Sequence, residues 1–166
     1  MATLKIDTSL SVPTDLSHGA VLEIGSALRP LLADVYTLYL KTKNFHWHLK
    51  GPQFPAYHAL FDDQASQLYA MTDAIAERAR KLGASTIHSI GEIAKYQTLQ
   101  ENNADGVSAA AMLAELCSDN QSLTTTLRDV HETCANHEDF GTSAMIEVWI
   151  DETERRTWFL AMTAKA

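Results

Sequence analysis

Most of the commoner kinds of enzyme site are missing from this sequence. It holds no Gly-rich phosphate loop, no Cys-x-x-Cys pair and no Gly-x-Ser-x-Gly turn, which removes the usual nucleotide, thiol-redox and serine-hydrolase sites. Glu-x-x-His is absent too, so the motif pair that builds a di-iron site inside a helical bundle is not available. Only two cysteines occur, Cys117 and Cys134. On one helix they would lie roughly 25 Å apart, beyond disulfide reach, so both are expected to be reduced, small, apolar groups. No apolar run approaches bilayer length, and the first ten residues lack the basic-then-apolar pattern of a secretory signal. The cytoplasm is therefore the expected location. Positive charge is scarce: 13 Lys and Arg stand against 21 Asp and Glu, a formal net charge of −8, which argues against a general nucleic-acid-binding surface. The N-terminal extension carries Lys5 alone as a cation, beside Asp7 and Asp15, and the C-terminus carries Lys165 alone, so neither is a basic arm.

The chain itself suits one domain: 166 residues, 46% hydrophobic and 20% charged. Residues 1–16 show no sustained period and read as an N-terminal arm. From Ser17 onward Val21, Leu28, Leu31, Leu32, Val35 and Leu38 recur at helical steps, with a kink or a fresh start expected at Pro30 and a stop before Gly51-Pro52. A second helix is predicted from Pro55 to Leu82 with Gly83 as its cap, and a short element around Ile90 to Thr98, docked by Ile93 and Tyr96. A third long helix runs from Val107 to Ala135 on the stripe Leu113, Leu116, Leu123, Leu127 and Val130. A capped turn over Asp139 to Thr142 leads to a fourth, ending near Met162. The expected fold is all-α: a four-helix bundle over residues 17–164, with a short helix in the connection between the second and third long helices.

Chemistry concentrates on the second helix. Taking His58 as zero, Asp62 falls at about 40°, Asp73 at about 60° and Glu77 at about 100°, one stripe holding two i,i+4 pairs. A solvated polar face is the plainer reading. Against it, Leu60, Phe61, Leu68, Met71 and Ile75 give the same helix a true core face, and His46 lies just across the Gly51-Pro52 turn. His58 and Asp73 are roughly 22 Å apart along the axis, too far to share an ion whose bonds are about 2 Å long. Each pair is then half a site. A two-fold axis would bring His46, His58 and Asp62 of one chain to Asp73 and Glu77 of another, making two identical sites per dimer. Imidazoles with several carboxylates suit iron, with zinc or manganese as competitors.

The same residues carry a family likeness. Thr42-Lys43-Asn44-Phe45-His46-Trp47-His48-Leu49-Lys50-Gly51-Pro52, continued by His58, Asp62, Asp73 and Glu77-Arg78-Ala79, resembles the Dps family of mini-ferritins, and the likeness extends to Trp149 through Trp158. The resemblance implies a ferritin-like bundle assembled into a hollow dodecamer, with ferroxidase sites at two-fold interfaces and a ferric mineral inside. It implies iron ligation by His46, His58 and Asp62 with Asp73 and Glu77 of a neighbouring subunit, and hydrogen peroxide as the oxidant. Zinc is a competing occupant of the same site. Trp47 matches the family's site-adjacent tryptophan, a sink for stray oxidising equivalents, and equally suits interface packing. The best-known members compact DNA through a lysine-rich tail, which this chain lacks.

The remaining polar groups read more plainly. His48 lies about 200° from His46 on a continuous helix and cannot share its ion. His18, His88, His131 and His137 read as structural. Glu138, Asp139, Glu147 and Asp151 read as a helix cap and an acidic face, some of which would line a cation pore. Two rival functions stand beside iron oxidation. One is DNA compaction with iron handling as a secondary duty; the other is a metal-buffering cage without turnover.

Overall fold

Serine hydroxyls begin three of the helices. In the computed structural model, which describes residues 12–165, Ser17 caps α1 (His18–His48), Ser89 caps α3 (Ile90–Tyr96) and Ser108 caps α4 (Ala109–Asn136), each accepting a backbone N–H three residues on. The other two helices are α2 (Phe54–Lys81) and α5 (Phe140–Thr163). No strand occurs among the described residues, and no described helix is long and apolar enough to cross a membrane. Residues 1–11 of the expected arm lie outside the described residues; residues 12–16 are non-helical.

Pro30 neither stops nor restarts α1, which runs through it as one helix of 31 residues. The lost hydrogen bond is outweighed by the packing on both sides, where Leu28, Leu31, Leu32 and Val35 are all buried. The α2 terminus is the motif Gly83 predicts. Gly83 sits at φ 86°, its N–H reaching the Arg80 carbonyl while the Ala84 N–H reaches Ala79. Ile90, at the start of α3, is 82% exposed, whereas Ile93 and Tyr96, the expected docking residues, are half-buried.

Helix directions follow from which ends meet. The turn at 49–53 makes α1 and α2 antiparallel neighbours. The long connection 82–108 then travels back along α1. Tyr96 receives a hydrogen bond from Arg29, Gln97 one from Thr37, and the Asn102 carbonyl one from Asn44. Midway, the buried Asp34 carboxylate accepts from Thr98 N, Leu99 N and the Thr98 hydroxyl. That return delivers the start of α4 to the end of α1, where Lys41, itself buried, bridges Glu115 at 3.0 Å and Asp119 at 2.8 Å. Burial raises the Asp119 carboxyl above its ordinary value despite that ammonium. At the other end, His137 of the α4 terminus meets Glu23 of α1 at 2.7 Å. The α4–α5 turn places α5 back against α2, closing the bundle through Arg78–Asp139 and Gln64–Arg156.

The predicted stripes form the core. Leu113, Leu116, Leu123, Leu127 and Val130 are all at most 3% exposed, as are Phe61, Leu68, Met71 and Ile75 of α2. Both cysteines are free; Cys117 is partly exposed, whereas burial pushes the Cys134 thiol up to about 12. One core group is unexpected. Arg156 is 1% exposed, donating to Asn120 Oδ1 and Thr153 Oγ1, with its Nη1 lacking any hydrogen-bond partner. Burial pulls this guanidinium down to about 10, which leaves it cationic at neutral pH.

Candidate metal centre

Two imidazoles meet across the Gly51-Pro52 turn. His46 comes from the last turn of α1 and His58 from the second turn of α2; the chain reverses between them through Gly51, whose φ of 120° suits a residue without a Cβ. Their rings stack with centroids 3.6 Å apart and planes 21° from parallel. Each ring is fixed by the other's backbone. His46 Nδ1 lies 2.8 Å from the His58 carbonyl oxygen, and His58 Nδ1 lies 3.0 Å from that of His46. A carbonyl oxygen only accepts, so both Nδ1 atoms carry the proton, and in the neutral rings both Nε2 lone pairs are bare. Metal-binding histidines are tuned in this way, with one nitrogen held by a carbonyl and the other left for the ion.

Asp62 completes the cluster one turn beyond His58. Its Oδ1 is 3.9 Å from His46 Nε2 and 2.7 Å from the Lys43 ammonium. The Lys43 hydrogen bond, and then its charge, hold the Asp62 carboxyl below the ordinary range, so it is ionised at neutral pH. Phe54 flanks His58 with ring centroids 4.9 Å apart. Trp47 points away from the core and is 58% exposed.

Asp73 and Glu77 are also exposed on α2, and Glu77 pairs with Lys81 at 3.3 Å. Asp73 stands eleven residues beyond Asp62, or about 16 Å along the axis, so the structure does not bring these two residues to the first three. Among the described residues, no three His, Cys, Asp or Glu side chains are close enough together to hold a metal ion. The described residues of one chain alone thus hold no finished coordination shell.

The polar centre of the bundle interior is the Arg156 guanidinium, donating to Asn120 and Thr153, while Gln64 donates to the Arg156 backbone carbonyl. Among the described residues no carboxylate accepts a hydrogen bond from this guanidinium, although the Glu152 charge favours its cationic form. A buried cation of this kind repels a dication.

The other polar candidates have partners of their own. Asp139, read as a helix cap or a pore residue, is 4% exposed and serves as the α5 cap, accepting from Thr142 N and pairing with Arg78 at 2.5 Å. His48 is exposed, its Nδ1 turned to the Asn44 carbonyl. His131 meets Glu147 at 2.9 Å on the surface between α4 and α5. Lys43 went unassigned in the sequence, although its place three residues before His46 puts the two on one helical face. Arg156 gave no sign of burial, because a charged residue between Arg155 and Thr157 on an exposed-looking helix reads as surface.

Comparison with known proteins agrees with this fold. A family model described as a ferritin-like domain matches residues 26–165. The chain is 38% identical over 130 residues to a low temperature-induced protein of Nostoc sp., covering 78% of this chain and 73% of that one. It is 29% identical over 138 residues to DNA protection during starvation protein 2 of Bacillus anthracis, covering 83% of this chain and 94% of that one. The crystal structure of a Dps protein from Vibrio cholerae O1, described as a member of a broad superfamily of ferritin-like diiron-carboxylate proteins, matches with a TM-score of 0.84. It is 27% identical, covering 92% of this chain and 98% of that one.

Proposed function

The chain belongs to the Dps family of ferritin-like proteins, and on that premise we propose that it oxidises Fe(II) and stores the Fe(III) product as a mineral inside a hollow homo-oligomer. The observation that carries this reading is the crossed pair of imidazole hydrogen bonds, His46 Nδ1 to the His58 carbonyl and His58 Nδ1 to that of His46. It fixes two Nε2 lone pairs beside an ionised carboxylate before any ion arrives. His46, His58 and Asp62 of one subunit, with Asp73 and Glu77 of the partner subunit, bind the ferrous substrate; twelve subunits build the cage and each two-fold pair makes two sites. Zinc suits the same nitrogens and oxygens and competes for them.

Carboxylate oxygens bind the harder ferric ion more strongly than the ferrous, so Asp62, Asp73 and Glu77 favour the oxidised product. Peroxide is the oxidant. Two ferrous ions each give one electron, the O–O bond breaks, and two protons are taken up to release two waters. Trp47, adjacent to His46 in the chain, takes any stray oxidising equivalent by giving up an electron from its indole. A net charge of −8 is unfavourable to duplex DNA, so DNA compaction forms no part of the proposal.

Loading the protein with Fe(II) without oxygen and then adding peroxide tests this. The expected result is loss of Fe(II) much faster than in buffer, at one peroxide per two irons, with a soluble ferric product. Tight metal binding with Fe(II) lost only at the buffer rate would leave a binding cage without turnover.

A further inference from the structure

Two turns inward from the candidate centre, each of its helices carries a tyrosine. Tyr39 precedes His46 by seven positions on α1, and Tyr69 follows Asp62 by seven on α2. Seven residues fall about 20° short of two full turns, so each phenol shares the helix face of its candidate ligand, roughly 10 Å along the axis. Because α1 and α2 are antiparallel neighbours, both displacements run the same way and the two rings meet. Their centroids are 5.3 Å apart with planes 43° from parallel, within the contact range of aromatic pairs. Among the described residues no other two tyrosine rings are in contact. Tyr39 packs against the core, whereas Tyr69 is 58% exposed, and the soft χ2 torsion of a phenol lets it turn. One ring is held still while the other adjusts to it.

Peroxide needs two electrons, and a single Fe(II) gives only one. When peroxide exceeds Fe(II), that one electron splits the O–O bond into hydroxide and a hydroxyl radical, which still lacks an electron. Trp47 meets one such equivalent at a time; further ones need another donor. We propose that Tyr39 and Tyr69 form a second, sacrificial oxidation site, in which the two phenols couple into a dityrosine bridge between α1 and α2. Each phenol gives one electron and one proton to a hydroxyl radical, leaving water and a phenoxyl radical. The two phenoxyl radicals join through their ortho carbons, and the ortho hydrogens move to the oxygens, which restores both rings. In total, two Fe(II), two peroxides and two phenols give two Fe(III), two hydroxides, two waters and one carbon–carbon bond. The inference rests on Fe(II) and peroxide meeting at the candidate centre.

Adding Fe(II) to the assembled protein with peroxide in excess gives two readings from one sample. The rate of Fe(II) loss reports the centre; dityrosine fluorescence and peptide mapping by mass spectrometry report the pair. The expected product is a Tyr39–Tyr69 linkage within one chain, two hydrogen atoms lighter than the separate peptides and running as a monomer on a denaturing gel. Tyr39→Phe and Tyr69→Phe keep the ring packing and should each reduce that linkage to background. Tyr36→Phe should leave it as in wild type. Fast Fe(II) loss without the Tyr39–Tyr69 linkage, or with tyrosines joined only between chains, overturns the proposal and leaves the ferroxidase reading standing. Fe(II) lost only at the buffer rate overturns both, because the centre then delivers no oxidising equivalents to the pair.

Discussion

Replacing His46 and Asp62 together by alanine is expected to slow peroxide-driven loss of Fe(II) by more than a hundredfold, to the rate in buffer. Loss of a group that merely orients a metal ligand lowers affinity or activity by about 10–100-fold, and here two direct ligands go at once. His46→Ala keeps the backbone carbonyl that His58 Nδ1 meets, but it removes the ring stacked on His58 at 3.6 Å. Both sites of a symmetric pair lose the same ligands, so no intact site remains. The fold should survive, because Phe45, Leu49 and Phe61 bury the surrounding helix ends regardless of the imidazole. A companion variant, Asp73→Ala with Glu77→Ala, is expected to lose the same activity. Its two changes are on exposed side chains, so its stability should move by no more than about 0.5 kcal/mol per site. Stopped-flow absorbance of ferric product, with melting curves on each variant, checks both statements.

Asp139→Ala should be the most damaging single change to stability outside the apolar core. The carboxylate is buried, caps α5 through Thr142 N, accepts the Thr142 hydroxyl and pairs with Arg78 at 2.5 Å. Arg78 is held there by a second bond, Nε to Thr142 Oγ1 at 2.7 Å. Gly141 leaves room for it, since a Cβ at that position would approach Arg78 Nη2 to 3.0 Å. Removing the carboxylate strands a largely covered guanidinium and uncaps a helix at one stroke. The expected loss is roughly 3–5 kcal/mol, seen as a melting temperature lower by on the order of 10 °C. Asp139→Asn keeps the cap oxygen and should lose clearly less. Equal losses for the two would mean that the charge, not the cap, carries the effect.

These two cases show where the sequence was readable. The four long helices were legible because their apolar residues recur at one period, and Gly83 and Ser17 mark ends by chemistry that needs no partner. The meeting of His46, His58 and Asp62 was legible in outline, from i,i+4 spacing and a tight turn. Its decisive detail was not. The crossed hydrogen bonds depend on where two backbone carbonyls fall after the chain reverses, which no spacing rule encodes. The α4–α5 turn shows the same limit. Glu138 adopts a φ of 57°, a conformation normally left to Gly or Asn, so the motif that ends α4 carries no compositional mark. Asp139 looked like one acid among several because the residue that buries it, Arg78, is 61 positions away. At Pro30 the fresh start does not occur, because packing that accumulates over the whole of α1 carries the helix through.

The central claim is that each site is shared between two subunits. It is tested most directly by co-expressing two inactive variants, one with His46 and Asp62 replaced by alanine and one with Asp73 and Glu77 so replaced. Random pairing makes about half of the dimers mixed, and each mixed dimer holds one wholly intact site beside one wholly broken site, so activity should return to about a quarter of wild type. Activity no higher than that of either parent would mean that the two residue sets do not meet across an interface, and would contradict the account.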